Sequence, residues 1–184
     1  MLMISKTTPS PKTMSKLTIA IPAYSATPEL LGMLDKCIES YAHHAEVIVH
    51  EDADQLGFTK NANNVWKEAK GDYVAIVSSD TYLVSGDPND LCIPGKVTSP
   101  HIENQGIDGL AGCFFVVPKE VAKERGYLNE SMKTYYSDED YKERTKDIFQ
   151  KVPSVVIHHL QAQTVKVAGV EGRMDEDKAA YDKL

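Results

Sequence analysis

The stretch that decides the fold is GDYVAIVSSDTY, residues 71–82. Residues 73–77 are all apolar or aromatic and follow closely on a glycine, which is typical of a strand covered on both faces of a sheet. Three polar residues, Ser78, Ser79 and Asp80, follow at once. In open α/β sheets, ligands bind beyond the carboxyl ends of the strands, and a carboxylate placed there can hold a hard metal ion. Taken alone, this polar tip is equally well explained as the start of a turn.

The chain before this stretch alternates between strand and helix patterns. Residues 17–21 and 45–50 are β-rich runs. Residues 28–42 carry apolar side chains at helical spacing after Thr27, a suitable N-cap, and a second helix is predicted for residues 59–70. The order strand, helix, strand, helix, strand predicts parallel strands with right-handed crossovers, whose ends face one crevice.

The chain after this stretch is less regular. Residues 83–108 contain several glycines and prolines and are predicted to be loops around a short strand near residues 96–99. Further strands are predicted at residues 111–117 and 153–157. Two helices are predicted between them: one from Pro118 to Gly126, and one from about residue 135 that carries Tyr141, Ile148 and Phe149.

Length and composition indicate a single soluble domain. The chain has 184 residues, 42% of them hydrophobic and 26% charged. Its net charge of -7 argues against nucleic acid as a partner. Three cysteines without C-x-x-C spacing favour a reducing, cytoplasmic setting, and no apolar segment reaches membrane-spanning length. We expect a flexible tail at 1–15, one domain at 16–167, and a charged tail or peripheral helix at 168–184.

Acidic and histidine residues stand at four of the predicted strand or helix ends. They are Glu51 with Asp52, Asp80, Asp138 with Asp140, and His158 with His159. Each group has a simpler explanation, such as loop solvation or the preference of a helix N-terminus for acids. Ser137 and Asp140 also match a capping box. Their joint order along the chain favours one shared site.

This ordered pattern resembles the glycosyltransferases of family 2, which have the GT-A fold. The motifs that carry the resemblance are IPAYS at 21–25, Glu51-Asp52, Asn63, AKGDY at 69–73, SSD at 78–80, GCF at 112–114, SDED at 137–140 with Arg144, and His158 or His159 followed by Thr164. Two departures stand out. Ser78 replaces the first acid of the family's metal motif, and Ser137 replaces a glutamate of its late acidic motif.

The resemblance implies an α/β chain with a mixed, mostly parallel sheet flanked by helices, and an inverting, metal-dependent glycosyltransferase. A UDP- or dTDP-sugar would be the donor, and a glycan or another hydroxyl compound the acceptor. The implied residues are Asp138 as catalytic base; Pro22, Ala23, Tyr24, Asp52, Asn63, Ser79 and Asp80 for the donor; Asp140 and Arg144 for positioning; and Asp80, His158 and His159 for Mn²⁺ or Mg²⁺. The metal would offset charge on the leaving diphosphate, and Asp138 would take the proton of the acceptor hydroxyl.

Three alternatives stay open from the sequence. Ser78 and Ser137 are compatible with a binding or scaffold protein that kept the fold and lost turnover. A sugar nucleotidyltransferase ranks last, because residues 22–27 lack a glycine-rich loop with a basic residue. The chain is short for the family, so the acceptor side is either open or completed by a partner subunit, as in a homo-oligomer.

Overall fold

A computed structural model describes residues 16–106, 109–161, 166–167 and 172–184. The strands are β1 (Leu17–Ala23), β2 (Glu46–Glu51), β3 (Tyr73–Val77), β4 (Thr81–Ser85), β5 (Val97–Ile102), β6 (Phe114–Pro118) and β7 (Phe149–His159). The helices are α1 (Pro28–Tyr41), α2 (Phe58–Glu68), α3 (Lys119–Arg125), α4 (Ser137–Thr145) and α5 (Arg173–Tyr181), with a 3-10 turn at Pro88–Leu91. The expected tail at 1–15 and Thr164 lie outside the described residues.

The strands form one mixed sheet in the order β2-β1-β3-β6-β5-β7-β4. β1 pairs in parallel with β2 and β3, and β5 pairs in parallel with β7. The pairs β3–β6, β5–β6 and β4–β7 are antiparallel. The expected α/β architecture is therefore present, but among the described strands the two kinds of pairing are equal in number rather than mostly parallel. Because β1, β2 and β3 run in one direction, their carboxyl ends meet at one edge.

Local signals fix the joints around these three strands. The Thr27 hydroxyl accepts a hydrogen bond from the backbone N–H of Leu30 at 3.3 Å, and Pro28 occupies the first turn of α1, as the sequence predicts. Before β3, the N–H of Gly71 donates to the Thr18 hydroxyl at 2.9 Å. A Cβ at position 71 would lie 2.7 Å from that oxygen, so only glycine lets the chain pass so close to β1.

The sheet separates two hydrophobic clusters. Along β3, Tyr73, Ala75 and Val77 point into one cluster, whereas Val74 and Ile76 point into the other. Helix α1 covers the first face, and α2, α3 and α4 cover the second. Burial of each large apolar side chain contributes about 1.5–3 kcal/mol, so both faces stabilise the central strand.

The structure differs from the sequence prediction in the second half of the chain. Strand β4 begins at Thr81 and extends into the segment expected to be loop from residue 83, and it pairs with β7 far along the chain. Strand β6 begins only at Phe114, because residues 111–113 form a turn. Phe149 opens β7 instead of ending a helix, and Ile148 precedes that strand. Among the described helices, none has the length and apolar character needed to cross a bilayer.

Candidate functional site

A cleft of about 350 Å³ lies where β1, β2 and β3 end. The start of α4, the end of β7 and the start of α5 also contribute to its walls. Several residues expected to form a site from the sequence line it together: Pro22, Ala23, Tyr24, Asp52, Ser79, Asp80, Asp138 and His159. The geometric expectation that residues far apart in sequence share one cleft is therefore met for this set.

Asp52 joins the end of β1 to the start of α2. Its carboxylate accepts the N–H of Leu56 at 2.7 Å and the N–H of Gly57 at 2.9 Å, and its own N–H donates to the Ala23 carbonyl at 2.7 Å. Each carboxylate oxygen keeps a second lone pair, so Asp52 can still accept a hydrogen bond from a ligand in the cleft. The neighbouring Glu51 holds the N–H and hydroxyl of Ser25 at 2.7 and 2.8 Å and does not line the cleft.

Asp80 and His159 form a pair on the cleft wall. Thr81 is opposite His159 in the β4–β7 register, so the residue before β4 lies beside the end of β7. The Nε2 atom of His159 is 3.4 Å from Asp80 Oδ1, and the Asp80 side chain is only 3% exposed. On the other side of the imidazole ring, the Gln105 Nε2 atom lies 3.0 Å from His159 Nδ1.

The donor set of this pair fits a divalent cation. Two neighbouring ligands of an octahedral ion with bonds of about 2.1 Å lie about 3 Å apart, close to the observed separation. An oxygen and an imidazole nitrogen together suit manganese or magnesium, with manganese favoured by the nitrogen. When Nε2 binds a metal, the ring proton is on Nδ1, and the Gln105 amide must then be turned so that its oxygen, rather than the nitrogen placed there, faces Nδ1. The described part of the chain holds no cluster of three or more metal-ligating side chains, so bound ligand or water must supply the other positions.

Asp138 lies in the first turn of α4, facing the turn that precedes β6. A Cβ at Gly112 would lie 2.3 Å from Asp138 Oδ2, so glycine is needed there for the carboxylate to take this position. Desolvation by burial, with a smaller effect of Glu139, raises the pKa of Asp138, while backbone N–H groups of Asp138, Glu139 and Gly112 oppose this. The result is a carboxyl that binds a proton more readily than an ordinary aspartate.

Asn63 is not on the cleft, which corrects its expected role in donor binding. It is 2% exposed, its amide nitrogen donates to the Leu128 carbonyl at 2.9 Å, and its oxygen accepts the Leu128 N–H at 3.0 Å. It therefore fixes the loop after α3. Asn61 lines the cleft instead, with its amide bonded to the His50 carbonyl at 2.9 Å. The two positions are about 200° apart on a helix, so they face opposite ways.

His158 is also turned away from the cleft, which corrects its assignment as a metal ligand. Its Nδ1 atom lies 2.8 Å from Glu103 Oε1, and its ring stacks on Tyr82 with centroids 5.0 Å apart. Successive side chains of a strand point to opposite faces, so only one of two adjacent histidines can face Asp80.

The pair Asp140 and Arg144 is a structural link and does not line the cleft, which corrects the expected positioning role. The Arg144 guanidinium lies 2.8 Å from the Asp140 carboxylate one helical turn away and forms an ion pair with it. Arg144 also donates to the Tyr127 carbonyl at 2.8 Å, which ties α4 to the chain after α3. The expected capping box is absent from α4, where the Ser137 hydroxyl instead accepts a hydrogen bond from Thr59 at 2.9 Å.

Several cleft residues were not predicted from the sequence. They are Gln55, Gly57, Phe58, Asn61, Gln105, Ala111, Cys113, Thr134, Tyr135, Tyr136 and Arg173. Most stand in loops between elements or, like Arg173, in the C-terminal stretch, where no helical or strand pattern marks them. The GCF motif contains Cys113 and its neighbour Gly112, but it gave neither residue a role in the site.

Residues 133–136 form a cleft wall that is held from two sides. On one side, the N–H of Thr59 in α2 donates to the Lys133 carbonyl at 3.0 Å. On the other side, the Asp177 carboxylate of α5 accepts the N–H groups of Lys133, Thr134 and Tyr135 at 2.7, 2.8 and 2.8 Å. We call this segment the anchored loop.

A curled mixed sheet flanked by helices, with a cleft at the ends of its first strands, is the GT-A fold of nucleotide-sugar glycosyltransferases. No family model matches the chain. No curated protein sequence matches it significantly. The fold assignment therefore comes from solved structures.

Three solved glycosyltransferases illustrate the similarity. A mutant Drosophila β1,4-galactosyltransferase 7, in complex with manganese, UDP-Gal and xylobiose, has a TM-score of 0.59 and 14% identity over 83% of this chain and 73% of its own. A mannosyltransferase from Pyrobaculum calidifontis, with GDP-Man and Mn²⁺, has a TM-score of 0.59 and 12% identity over 97% of this chain and 67% of its own. TarS from S. aureus with UDP-GlcNAc has a TM-score of 0.57 and 14% identity over 90% of this chain and 65% of its own. The chain also spans only 60% of another TarS structure.

Proposed function

We propose that this protein is a family 2 glycosyltransferase that moves a sugar from a nucleoside-diphosphate donor to an acceptor hydroxyl. The observation that carries the proposal is the meeting of Asp138 with the Asp80–His159 pair in one cleft of a GT-A fold. The nucleotide sugars in the three solved structures of the same fold support it.

The walls of the cleft divide into two regions in this proposal. Pro22, Ala23, Tyr24 and Asp52, at the ends of β1 and β2, would border the nucleoside. Ser79 and Asp80 would lie near the diphosphate, because ligands of α/β proteins commonly bind beyond the carboxyl ends of parallel strands. A donor bound in this way would direct its sugar towards Asp138.

Asp138 supplies the base for one direct displacement. Its carboxylate accepts the proton of the acceptor hydroxyl while that oxygen forms a bond to the anomeric carbon. The bond from the anomeric carbon to the diphosphate oxygen breaks, and the electron pair leaves with the nucleoside diphosphate. Attack from the face opposite the leaving group inverts the anomeric configuration.

Asp80 and His159 would hold Mn²⁺ or Mg²⁺. When bound, such an ion supplies Lewis-acid stabilisation of the negative charge on the leaving diphosphate. The protein's own part is to orient the two ligand atoms, 3.4 Å apart, and to place them at the cleft wall.

Calorimetric titration with UDP, GDP and dTDP, with and without Mn²⁺, tests the proposal. We expect at least one diphosphate to bind, more tightly with Mn²⁺, and a panel of nucleotide sugars to reveal turnover. Asp138→Asn should keep nucleotide binding and lose about a hundredfold or more in transfer rate, since a positioned base contributes about 10²–10⁴-fold. Glu143→Gln, on the same helix, is the matched control and should change neither quantity, because that side chain is exposed and pairs with Lys146 at 3.0 Å. No binding of any diphosphate in either condition would refute the assignment.

A second candidate is a binding protein of the same fold without turnover. Ser78 and Ser137 favour it, because the family's carboxylates are replaced at both positions. Ser137 is fully buried and bonded to Thr59, so its hydroxyl is occupied within the protein. Donor binding without transfer or hydrolysis, together with no change in Asp138→Asn, would support this candidate over the enzyme.

A further inference from the structure

We infer that Arg173 binds the diphosphate of the donor and that α5 is docked as part of the same site. The inference rests on the proposed function and adds to it a residue and an element that the family motifs did not indicate. Three features of the described structure support it: the charge balance of the cleft, the spacing of residues along α5, and the attachment of α5 to the anchored loop.

The charge balance of the cleft favours a protein cation beside the diphosphate, in addition to a metal ion. Three carboxylates line it, from Asp52, Asp80 and Asp138. Arg173 is the one arginine or lysine among its described lining residues, and no described carboxylate pairs with it. A diphosphate entering beside three carboxylates meets repulsion, which a permanent positive charge offsets. Arginine is suited to this because its planar guanidinium can donate two hydrogen bonds to one phosphate.

The spacing of residues gives α5 a docking face. Arg173, Asp177 and Tyr181 are four residues apart in turn, so they lie on one side of the helix. Asp177 is 2% exposed, whereas Met174 on another side is 45% exposed. The buried face of α5 therefore carries the guanidinium to the cleft.

The attachment of α5 to the anchored loop fixes the position of that face. Asp177 accepts three backbone N–H groups of the loop, and the Tyr181 ring stacks on Tyr136 with centroids 5.6 Å apart. Thr134, Tyr135 and Tyr136 themselves line the cleft. Arg173 lies one turn before Asp177, so these contacts of α5 fix its position without using the Arg173 side chain. The guanidinium therefore remains available for a ligand.

Titration of UDP, UMP and uridine against the full chain and Arg173→Ala tests the inference. We expect the variant to lose about tenfold to a hundredfold in affinity for UDP, the range given by a lost charge-assisted hydrogen bond. The loss should be smaller for UMP and absent for uridine, which has no phosphate. It should persist without added metal, because the contact is made by the protein. Arg173→Lys should recover part of the affinity, since it keeps the charge without the planar fork.

Lys178→Ala is the matched control, because it removes a cation from the same helix outside the cleft, where Lys178 pairs with Asp182 at 2.6 Å. It should bind UDP as the unchanged protein does, and a thermal melt of each variant checks the fold. If the unchanged protein binds UDP and Arg173→Ala binds it equally well, the inference is wrong while the proposed function stands. If the unchanged protein binds none of UDP, GDP and dTDP, both fail.

Discussion

The surroundings of Asp138 favour its protonated form more than water does. Burial raises the pKa of this carboxyl above the ordinary 3.8, and Glu139 adds to the effect. A general base works best when its pKa approaches the working pH, so the enclosure that destabilises the carboxylate also suits it to accept a proton. Rate and stability should therefore respond to pH in opposite directions at this residue.

For the rate, the base must be ionised, so transfer should fall as the pH drops through the raised pKa of Asp138. For stability, the folded protein binds this proton more tightly than the unfolded chain, so the contribution of Asp138 to the free energy of unfolding decreases as the pH rises through the folded pKa. The unchanged protein should therefore lose stability relative to Asp138→Asn as the pH rises from 3 to 7, because the amide does not ionise. Chemical denaturation of both proteins at the two pH values measures this change, which is separate from any constant effect of the amide on the backbone N–H groups that face it. A stability difference that is the same at both pH values would contradict the assigned environment.

His158 and His159 form a natural pair of test and control. His159→Ala removes the nitrogen beside Asp80 and should abolish most of the Mn²⁺ enhancement of UDP binding. His158→Ala removes the ring that stacks on Tyr82 and contacts Glu103, and should leave the enhancement intact. Calorimetry with and without Mn²⁺ separates the two, and equal losses in both variants would argue against the metal site.

The sequence predicted the residue types at the cleft better than their orientation. It indicated a histidine pair after the last strand, but which ring faces Asp80 depends on the register of β7 with β4. It indicated an asparagine on the second helix, but whether Asn61 or Asn63 faces the cleft depends on how the helix is rotated about its axis. Orientation follows from pairing across the fold, which one stretch of sequence does not encode.

At the scale of elements, β1, β2, β3, α1 and α2 were predicted to within a few residues, because each carries its own pattern and is bounded by local stop signals. Strand β4 was missed for two reasons. Its partner β7 follows more than 60 residues later, and the buried and exposed residues of β4 do not alternate. Helix α5 was expected only as a charged tail or peripheral helix. Its link to the cleft depends on Asp177, which accepts hydrogen bonds from backbone N–H groups, and such contacts cannot be predicted from a sequence pattern.

Asp177→Asn tests the attachment of α5. An amide offers only one acceptor oxygen and presents N–H groups where backbone N–H groups already point, so the free energy of unfolding should fall by about 1–3 kcal/mol. Transfer should fall as well, because the anchored loop precedes Asp138. Asp175→Asn, at an exposed position of the same helix, should change neither quantity. Denaturation and rate measurements on both variants check this, and an unchanged Asp177→Asn would show that the loop holds its shape without α5.

At the scale of the whole molecule, the two-sided core buries Cys37 and Cys113 and partly covers Cys92. Burial raises the pKa of Cys37 to about 12 and that of Cys92 to about 11, and Cys113 is raised further by burial and by Asp80 and Asp138. All three thiols are free in the structure.

The native protein should therefore react slowly with a thiol reagent at pH 8, where the thiolate fraction is on the order of one in a thousand or less. In denaturant, all three thiols should react as fast as the thiol of an unstructured peptide does. Counting thiols with a chromogenic disulfide before and after unfolding measures this. Rapid reaction of the fully buried Cys37 in the native state would indicate that the core around it opens.

The bonds from one buried carboxylate to three successive amides also give the protein an internal reporter. The protons on Lys133, Thr134 and Tyr135 can leave for solvent only when α5 lifts from the loop, so their exchange with deuterium measures that opening in the unaltered chain. A nucleotide that touches Arg173 should slow this exchange, and the degree of slowing would express, without any substitution, how strongly ligand and helix stabilise one another.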